Sequence, residues 1–188
     1  MGYVAREAAD YAGAFSASRY VTNNVQVAFS AFALGITAGI GTTLILLTNG
    51  VSIGTSLGIF RWNGALHQIL AFVTPHGVLE LTAICLAGGA GFLIGSAFLL
   101  PGALTRREAL IVRGRRAIRL VAAAGLFLLV AGIIEGIVSP RNLQLRDAAV
   151  IGATSGVFII IYIFAGVRSK GAPEEEFGYN EERAFRSR

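Results

Sequence analysis

The chain has 188 residues, of which 54% are hydrophobic and only 14% are charged, and its formal net charge is +5. A soluble globular domain carries roughly a quarter of its residues as charged side chains, so this composition excludes a disordered chain and argues against a water-soluble globule. A nucleic-acid-binding protein is not expected either, because most of the positive charge falls in one short segment between apolar runs.

The first 19 residues mix charged side chains with alanine and aromatic residues. They contain Arg6, Glu7, Asp10 and Arg19, and they lack the basic start and short apolar core of a signal peptide. We predict an amphipathic helix over residues 1–19 that leads into the membrane. Attachment to the membrane then depends on the apolar segments that follow.

A first transmembrane span is expected early in the chain. No charged residue occurs from Tyr20 through Phe60, and about 20 mainly apolar residues are enough to cross a bilayer. We predict that this span runs from about Val25 to Leu47. It is expected to end at the turn-forming pair Asn49-Gly50.

Residues 51–73 form a broken apolar segment. They consist of two pieces of about half a bilayer each, interrupted at Arg61 and closed by Pro75. The segment is either a re-entrant hairpin or one full span. A full span would bury Arg61 at a cost of at least about 3 kcal/mol, which favours the hairpin or an arginine in a wet cavity. The hairpin puts the N-terminus in the cytoplasm, and the span puts it outside.

Three stronger spans follow, and the arginine content of their connections predicts the topology. The spans are His76–Leu100, Leu120–Val138 and Ala148–Val167. Short arginine-rich loops stay on the cytoplasmic side, so we predict a cytoplasmic basic loop and an outside loop from Ser139 to Asp147. The basic loop contains Arg106, Arg107, Arg113, Arg115, Arg116 and Arg119.

These segments together predict an all-α, polytopic transmembrane helix bundle with about four full spans plus a broken or re-entrant segment. The transmembrane domain covers residues 20–168. Residues 169–188 are polar and rich in glutamate, which predicts a flexible, charged cytoplasmic tail. We expect a multi-pass protein of the plasma membrane.

Glycines spaced four residues apart recur along the apolar segments. In lipid, helices associate through the close approach of small residues. Packing within one chain is the common use of such pairs, and their number here also favours a homo-oligomer, most simply a dimer. The series are Gly35 and Gly39; Gly50, Gly54 and Gly58; Gly91 and Gly95; Gly132 and Gly136; and Gly152 and Gly156.

Four ordered sequence features carry a resemblance to a known family. They are the run from Thr74 to Ala83, the pair Asn49-Gly50, Pro101-Gly102 ahead of residues 105–110, and Glu135-Gly136 ahead of Ser139-Pro140. Taken together over about residues 20–167, they resemble the stage II sporulation protein M family of multi-pass membrane proteins.

The resemblance implies an integral membrane scaffold or assembly subunit that organises partner proteins at the membrane. Its sporulating representative is similar to a scaffold that holds peptidoglycan-degrading enzymes at the septal membrane. We therefore expect membrane lipid and membrane-associated proteins as partners, and neither enzymatic activity nor a cofactor.

Two acids lie inside the predicted spans, Glu80 and Glu135. Ionisable side chains in a membrane are costly and commonly mark functional sites. His76 and Glu80 are four residues apart and share a helix face, so Glu135 on a neighbouring span would complete one polar cluster in the outer half of the bundle.

Three uses of this cluster are open. It is a clamp that fixes helix register, a proton or ion relay in a transporter or channel component, or the metal site of an intramembrane hydrolase. We favour the clamp over the relay. The metal site is the least favoured of the three, because zinc motifs on helices usually supply two histidines and the second histidine, His67, lies in another segment.

Overall fold

The structure is a computed structural model that describes residues 22–138, 141 and 143–169. Within this part of the chain it contains helices, turns and no strands, so the predicted all-α class is confirmed. The predicted helix over residues 1–19 and nearly all of the predicted tail lie outside the described residues. The helices are α1 (residues 22–33, continued by a 3-10 turn Leu34–Thr37), α2 (Ile40–Trp62), α3 (Leu66–Leu99), α4 (Arg106–Val138) and α5 (Leu145–Ser169).

Four of the described helices are long and apolar enough to cross a bilayer. They are α2, α3, α4 and the part of α5 up to Gly166. The protein is therefore a multi-pass membrane protein, as predicted. Since a helix rises 1.5 Å per residue, α3 and α4 are each about 50 Å long and extend beyond a hydrocarbon core of about 30 Å.

The first break in the chain falls earlier than the sequence predicts. Ala38 and Gly39 both adopt left-handed backbone conformations, with φ of 56° and 84°, and α2 begins after them. The Thr37 hydroxyl donates to a carbonyl of the 3-10 turn at 2.6 Å and accepts from an amide of α2 at 2.8 Å. The predicted stop at Asn49-Gly50 is wrong, because a helix in hydrocarbon keeps its backbone groups paired internally.

Residues 51–73 form neither a re-entrant hairpin nor a single span. They comprise the end of α2, a turn at residues 63–65 and the start of α3. The Asn63 side chain donates to the Ile59 carbonyl at 2.8 Å, and Gly64 takes a positive φ of 67°. Arg61 is exposed in the last turn of α2, so it lies at a helix end.

α3 continues through Pro75, where the sequence predicted a boundary. Transmembrane helices tolerate proline because hydroxyl side chains and neighbouring helices compensate for the lost backbone hydrogen bond. Thr74 donates its hydroxyl to the Leu70 carbonyl at 2.6 Å, and α5 packs against the same turn through Gly152. His76 therefore lies ten residues inside α3 and does not begin a span.

The prediction that the basic residues form a loop is wrong, because the chain is helical from Arg106 onward. Thr105 and Glu108 form a capping box, in which the Thr105 amide donates to the Glu108 carboxylate at 2.8 Å and the Glu108 amide donates to the Thr105 hydroxyl at 3.3 Å. The true connection is short, from residue 100 to residue 105. We call residues 106–119, the first four turns of α4, the basic segment.

α3 is the central helix of the bundle, in contact with the other four. The main core lies between α3 and α4, and half of its buried members are alanines, whose small side chains let the helices approach closely. Its buried members are Ala28 of α1, Leu79, Ala83, Ile84 and Ala87 of α3, Ala124, Phe127, Leu128 and Ala131 of α4, and Ile159 of α5.

Glycines permit several close contacts with α3. A Cβ on Gly91 would collide with the Ala31 carbonyl of α1, and one on Gly35 would collide with Gly91 itself. The Thr42 hydroxyl bonds to that same Ala31 carbonyl at 2.7 Å. A Cβ on Gly152 would lie 2.5 Å from the Thr74 carbonyl oxygen. These glycines therefore serve packing within the chain.

α3 and α4 run antiparallel. As a result, the basic segment lies at one end of the bundle and the two buried glutamates lie toward the other. Arg113 of α4 bonds to the end of α3 at Leu100, whereas Glu135 lies near Glu80, more than halfway back along α3. We call the end with the basic segment the basic end. Glu80 and Glu135 lie toward the opposite end.

Candidate functional site

The structure brings His76, Glu80 and Glu135 together between α3 and α4. Each offers one ligand atom, an imidazole nitrogen or a carboxylate oxygen, and these atoms all lie within 4.8 Å of one another. The side chains are 2%, 6% and 1% exposed. They form one buried cluster, the His76–Glu80–Glu135 cluster, and its function stays a prediction.

The helical repeat explains why these side chains meet. His76 and Glu80 are one turn apart on the face of α3 that continues into the apolar core. Glu135 follows Leu128 and Ala131 on the core-facing side of α4. The cluster therefore continues the α3–α4 contact and places three ionisable side chains where alanine and leucine lie further along the helices.

The cluster is enclosed mainly by apolar groups. The Phe72 ring packs edge-on against the His76 ring, with centroids 5.6 Å apart and an interplanar angle of 83°. Pro75 and Leu79, next to the cluster on α3, are among the most buried large side chains of the described residues. Unpaired polar atoms in such surroundings are costly.

One hydrogen bond reaches the cluster from α1, because the Asn24 side chain bonds to Glu80. By contrast, His76 Nδ1 and both carboxylate oxygens of Glu135 are buried and have no hydrogen-bond partner within the described part of the protein. A buried polar group left unpaired costs about 1–3 kcal/mol. These three atoms therefore require a binding partner that is not one of the described protein groups. For two neighbouring carboxylates, that partner is a proton or a cation.

The remaining histidine does not join the cluster. His67 is exposed in the first turn of α3, nine residues before His76, which is two and a half helical turns. A zinc site with two histidines is therefore absent among the described residues. The donor set that the structure offers is one imidazole and two carboxylates.

The basic segment forms a second polar region. Arg113 is partly buried and donates to the Ser96 hydroxyl at 2.9 Å and to the Leu100 carbonyl at 2.7 Å. It thereby pairs a carbonyl at the end of α3 that has no partner within its helix. The other five arginines of the predicted basic loop, Arg106, Arg107, Arg115, Arg116 and Arg119, are exposed.

Sequence analysis missed three structural roles: those of Asn24, of the Thr105–Glu108 pair and of Arg113. Asn24 lies near the start of the uncharged run from Tyr20 to Phe60. An asparagine in a membrane helix signals hydrogen bonding between helices, so its role could have been predicted. The Thr105-x-x-Glu108 pattern is a capping box and marks the start of α4. Arg113 had no comparable signal, because its role depends on where α3 ends.

Comparison with known proteins gives one family match and one related protein. The sequence pattern of the family described as Stage II sporulation protein M matches residues 2–140, which is most of the 188 residues. An uncharacterized protein of Methanocaldococcus jannaschii is 37% identical over 81 residues, which cover 43% of this chain and 46% of that protein. The match thus spans under half of that relative's length. No solved structure matches. Neither the family description nor the relative's name states an enzymatic activity.

Proposed function

The chain belongs to the stage II sporulation protein M family, and on that premise we propose that it is a membrane scaffold or assembly subunit of the plasma membrane. In this role it is not an enzyme. It holds membrane-associated partner proteins through the open face of α2, and the basic end faces the cytoplasm.

The observation that carries this proposal is the glycine series of α2. Among the residues that the structure describes, a Cβ added at Gly50, Gly54 or Gly58 would meet nothing within 4 Å, and Thr42 is the one buried residue of this helix. Elsewhere in the chain, Gly91 and Gly152 each lie in a close helix contact. Small residues at this spacing let transmembrane backbones approach, so we assign the face of residues 50, 54 and 58 to a helix of another protein.

A homo-oligomer is part of the proposal and would use the same face. Gly152, one of the glycines whose spacing favoured a homo-oligomer, packs against Thr74 of its own chain. Self-association is therefore assigned to the same face of α2, which holds either a second copy or a partner protein at one time.

Co-purification from native membranes tests the scaffold. The Gly54→Leu variant fills the open face and should lose co-purifying membrane proteins. Ser56→Leu adds a similar side chain about 200° around the helix, at an exposed position whose hydroxyl bonds only within α2, and should retain them. Identical sets of co-purifying proteins from both variants and the wild type would contradict the proposal.

A second candidate function is a proton or ion relay in a transporter or channel component. His76 Nδ1 and the Glu135 carboxylate, which have no hydrogen-bond partner in the described part of the chain, favour it, because intramembrane glutamates and histidines form such relays. Proton or cation flux into liposomes that contain the pure protein, lost in Glu135→Gln, would establish this function. Absence of flux would leave the scaffold as the function.

A further inference from the structure

We propose that His76, Glu80 and Glu135 bind one divalent transition-metal ion of zinc-like chemistry, which joins α3 to α4. This site lies outside the face of α2 and does not depend on the scaffold proposal. It makes use of buried atoms that have no hydrogen-bond partner among the described residues.

The donor set suits such an ion. Zinc takes imidazole nitrogen and carboxylate oxygen ligands at about 2.0–2.2 Å, and mixed nitrogen and oxygen sites also bind manganese and iron. In a tetrahedral site, ligand atoms at that distance are about 3.4 Å apart. The atoms of the cluster lie within 4.8 Å of one another, so a contraction of roughly 1.4 Å brings them to this spacing. Rotations within the two glutamate side chains can supply it.

Charge balance favours a dication over a monovalent one. Two carboxylates and a neutral imidazole carry a charge of −2, and a divalent ion makes the enclosed group neutral. Uncompensated charge is very costly in apolar surroundings, and the cluster is almost wholly removed from solvent. One ion thus neutralises both acids at once.

The pattern of hydrogen bonding agrees with a metal site. A clamp built from direct hydrogen bonds would pair the Glu135 oxygens, yet both are unpaired within the described residues. Carboxylates that bind metals are themselves oriented by neighbouring hydrogen bonds, and Glu80 has one from Asn24. Three protein ligands leave a coordination position for water, as in zinc sites that keep an open position.

Metal titration of the purified full-length protein tests the site. The protein in detergent is stripped with a chelator and titrated with Zn²⁺ alone, and bound metal is measured by elemental analysis. We expect one ion per chain in the wild type and at least a tenfold loss of affinity in His76→Gln and Glu135→Gln. The matched control is His67→Gln, which removes the other, exposed imidazole and should bind zinc like the wild type.

Failure of the folded wild type to bind zinc, or equal binding by His76→Gln, would overturn the proposal. If the cluster variants do not stay monodisperse, Co²⁺ binding to the wild type decides. A Co²⁺ absorption spectrum typical of nitrogen and oxygen ligands supports the site, and the absence of any bound Co²⁺ overturns it. Loss of co-purifying proteins in Gly54→Leu is a separate readout, so failure of either proposal is distinguishable from failure of the other.

Discussion

Glu80 of α3 and Glu135 of α4 bring carboxylate oxygens within 4.8 Å of each other across the main helix contact of the bundle. Both side chains are buried. Two ionised carboxylates at this separation repel each other, so the contact requires a positive species, either a proton or a cation. The packing of α3 on α4 is therefore linked to what this pair of acids binds.

Glu135→Gln separates the effect of the metal from that of the packing. Glutamine keeps the shape of the side chain and removes one of two like charges, so the chelator-treated variant should unfold at the wild-type temperature or above it. Zinc at 100 times its Kd should stabilise the wild type by about 2.7 kcal/mol and have no such effect on the variant. Thermal unfolding in detergent, with and without zinc, measures both. A zinc-dependent rise of equal size in the variant would refute the assignment of Glu135 as a ligand.

Gly152→Ala should destabilise the bundle. The new Cβ would lie 2.5 Å from the Thr74 carbonyl oxygen, which belongs to the backbone and cannot rotate away, so α5 must move off α3. Overpacking of this kind costs typically about 1–3 kcal/mol. Unfolding in a denaturing detergent gives the difference in stability from the wild type.

Gly156→Ala is the matched control, one turn further along the same face of α5. Its nearest neighbour would be the Val78 side chain at 3.9 Å, an ordinary contact. This substitution should leave the stability unchanged or raise it, because alanine is a better helix former than glycine by about 1 kcal/mol. Similar losses for the two variants would argue against the close contact at Thr74.

Arg113→Ala should loosen the end of α3. The change leaves the Ser96 hydroxyl and the Leu100 carbonyl without their charged donor, and hydrogen bonds to charged groups contribute about 1.5–3 kcal/mol. Arg116→Ala removes an exposed arginine of the same segment and should have little effect. Hydrogen exchange at residues 96–104 reports the difference, and equal protection in both variants would show that Arg113 does not hold this end.

Labelling of single cysteines tests the topology. In a background of Cys85→Ala, Arg107→Cys should react with a membrane-impermeant thiol reagent only from the cytoplasmic side. Asn63→Cys and Arg141→Cys lie at the opposite end and should react only from outside. Labelling of position 63 from the cytoplasmic side would mean that α2 does not cross the membrane.

The sequence was sufficient for the class of fold and for the proximity of the polar residues, and insufficient for the helix boundaries. Long uncharged runs predict helices in lipid, and the spacing of His76 and Glu80 places them on one face. Asn49-Gly50 and Pro75 suggested ends because they commonly interrupt helices in water. In hydrocarbon, an interrupted helix leaves backbone groups unpaired, so both positions remain helical.

The position of the first break depends on tertiary contacts. Gly39 lies against Phe92 of α3, and a Cβ on Gly95 would lie 2.6 Å from the Gly39 amide nitrogen. The left-handed pair Ala38-Gly39 thus turns the chain where α1 and α2 both meet α3. Local sequence around Gly39 gives no indication of this meeting, because it involves residues more than fifty positions away.

Photo-crosslinking from α2 in native membranes tests the scaffold proposal most directly. A photoreactive side chain at position 54 should form adducts with other membrane proteins, including a second copy of this chain, whereas the same side chain at position 56 should react mainly with lipid. Adducts with a second copy alone would leave a homo-oligomer without a scaffold role. Lipid adducts alone from position 54, or equal protein adducts from both positions, would contradict the proposed binding face.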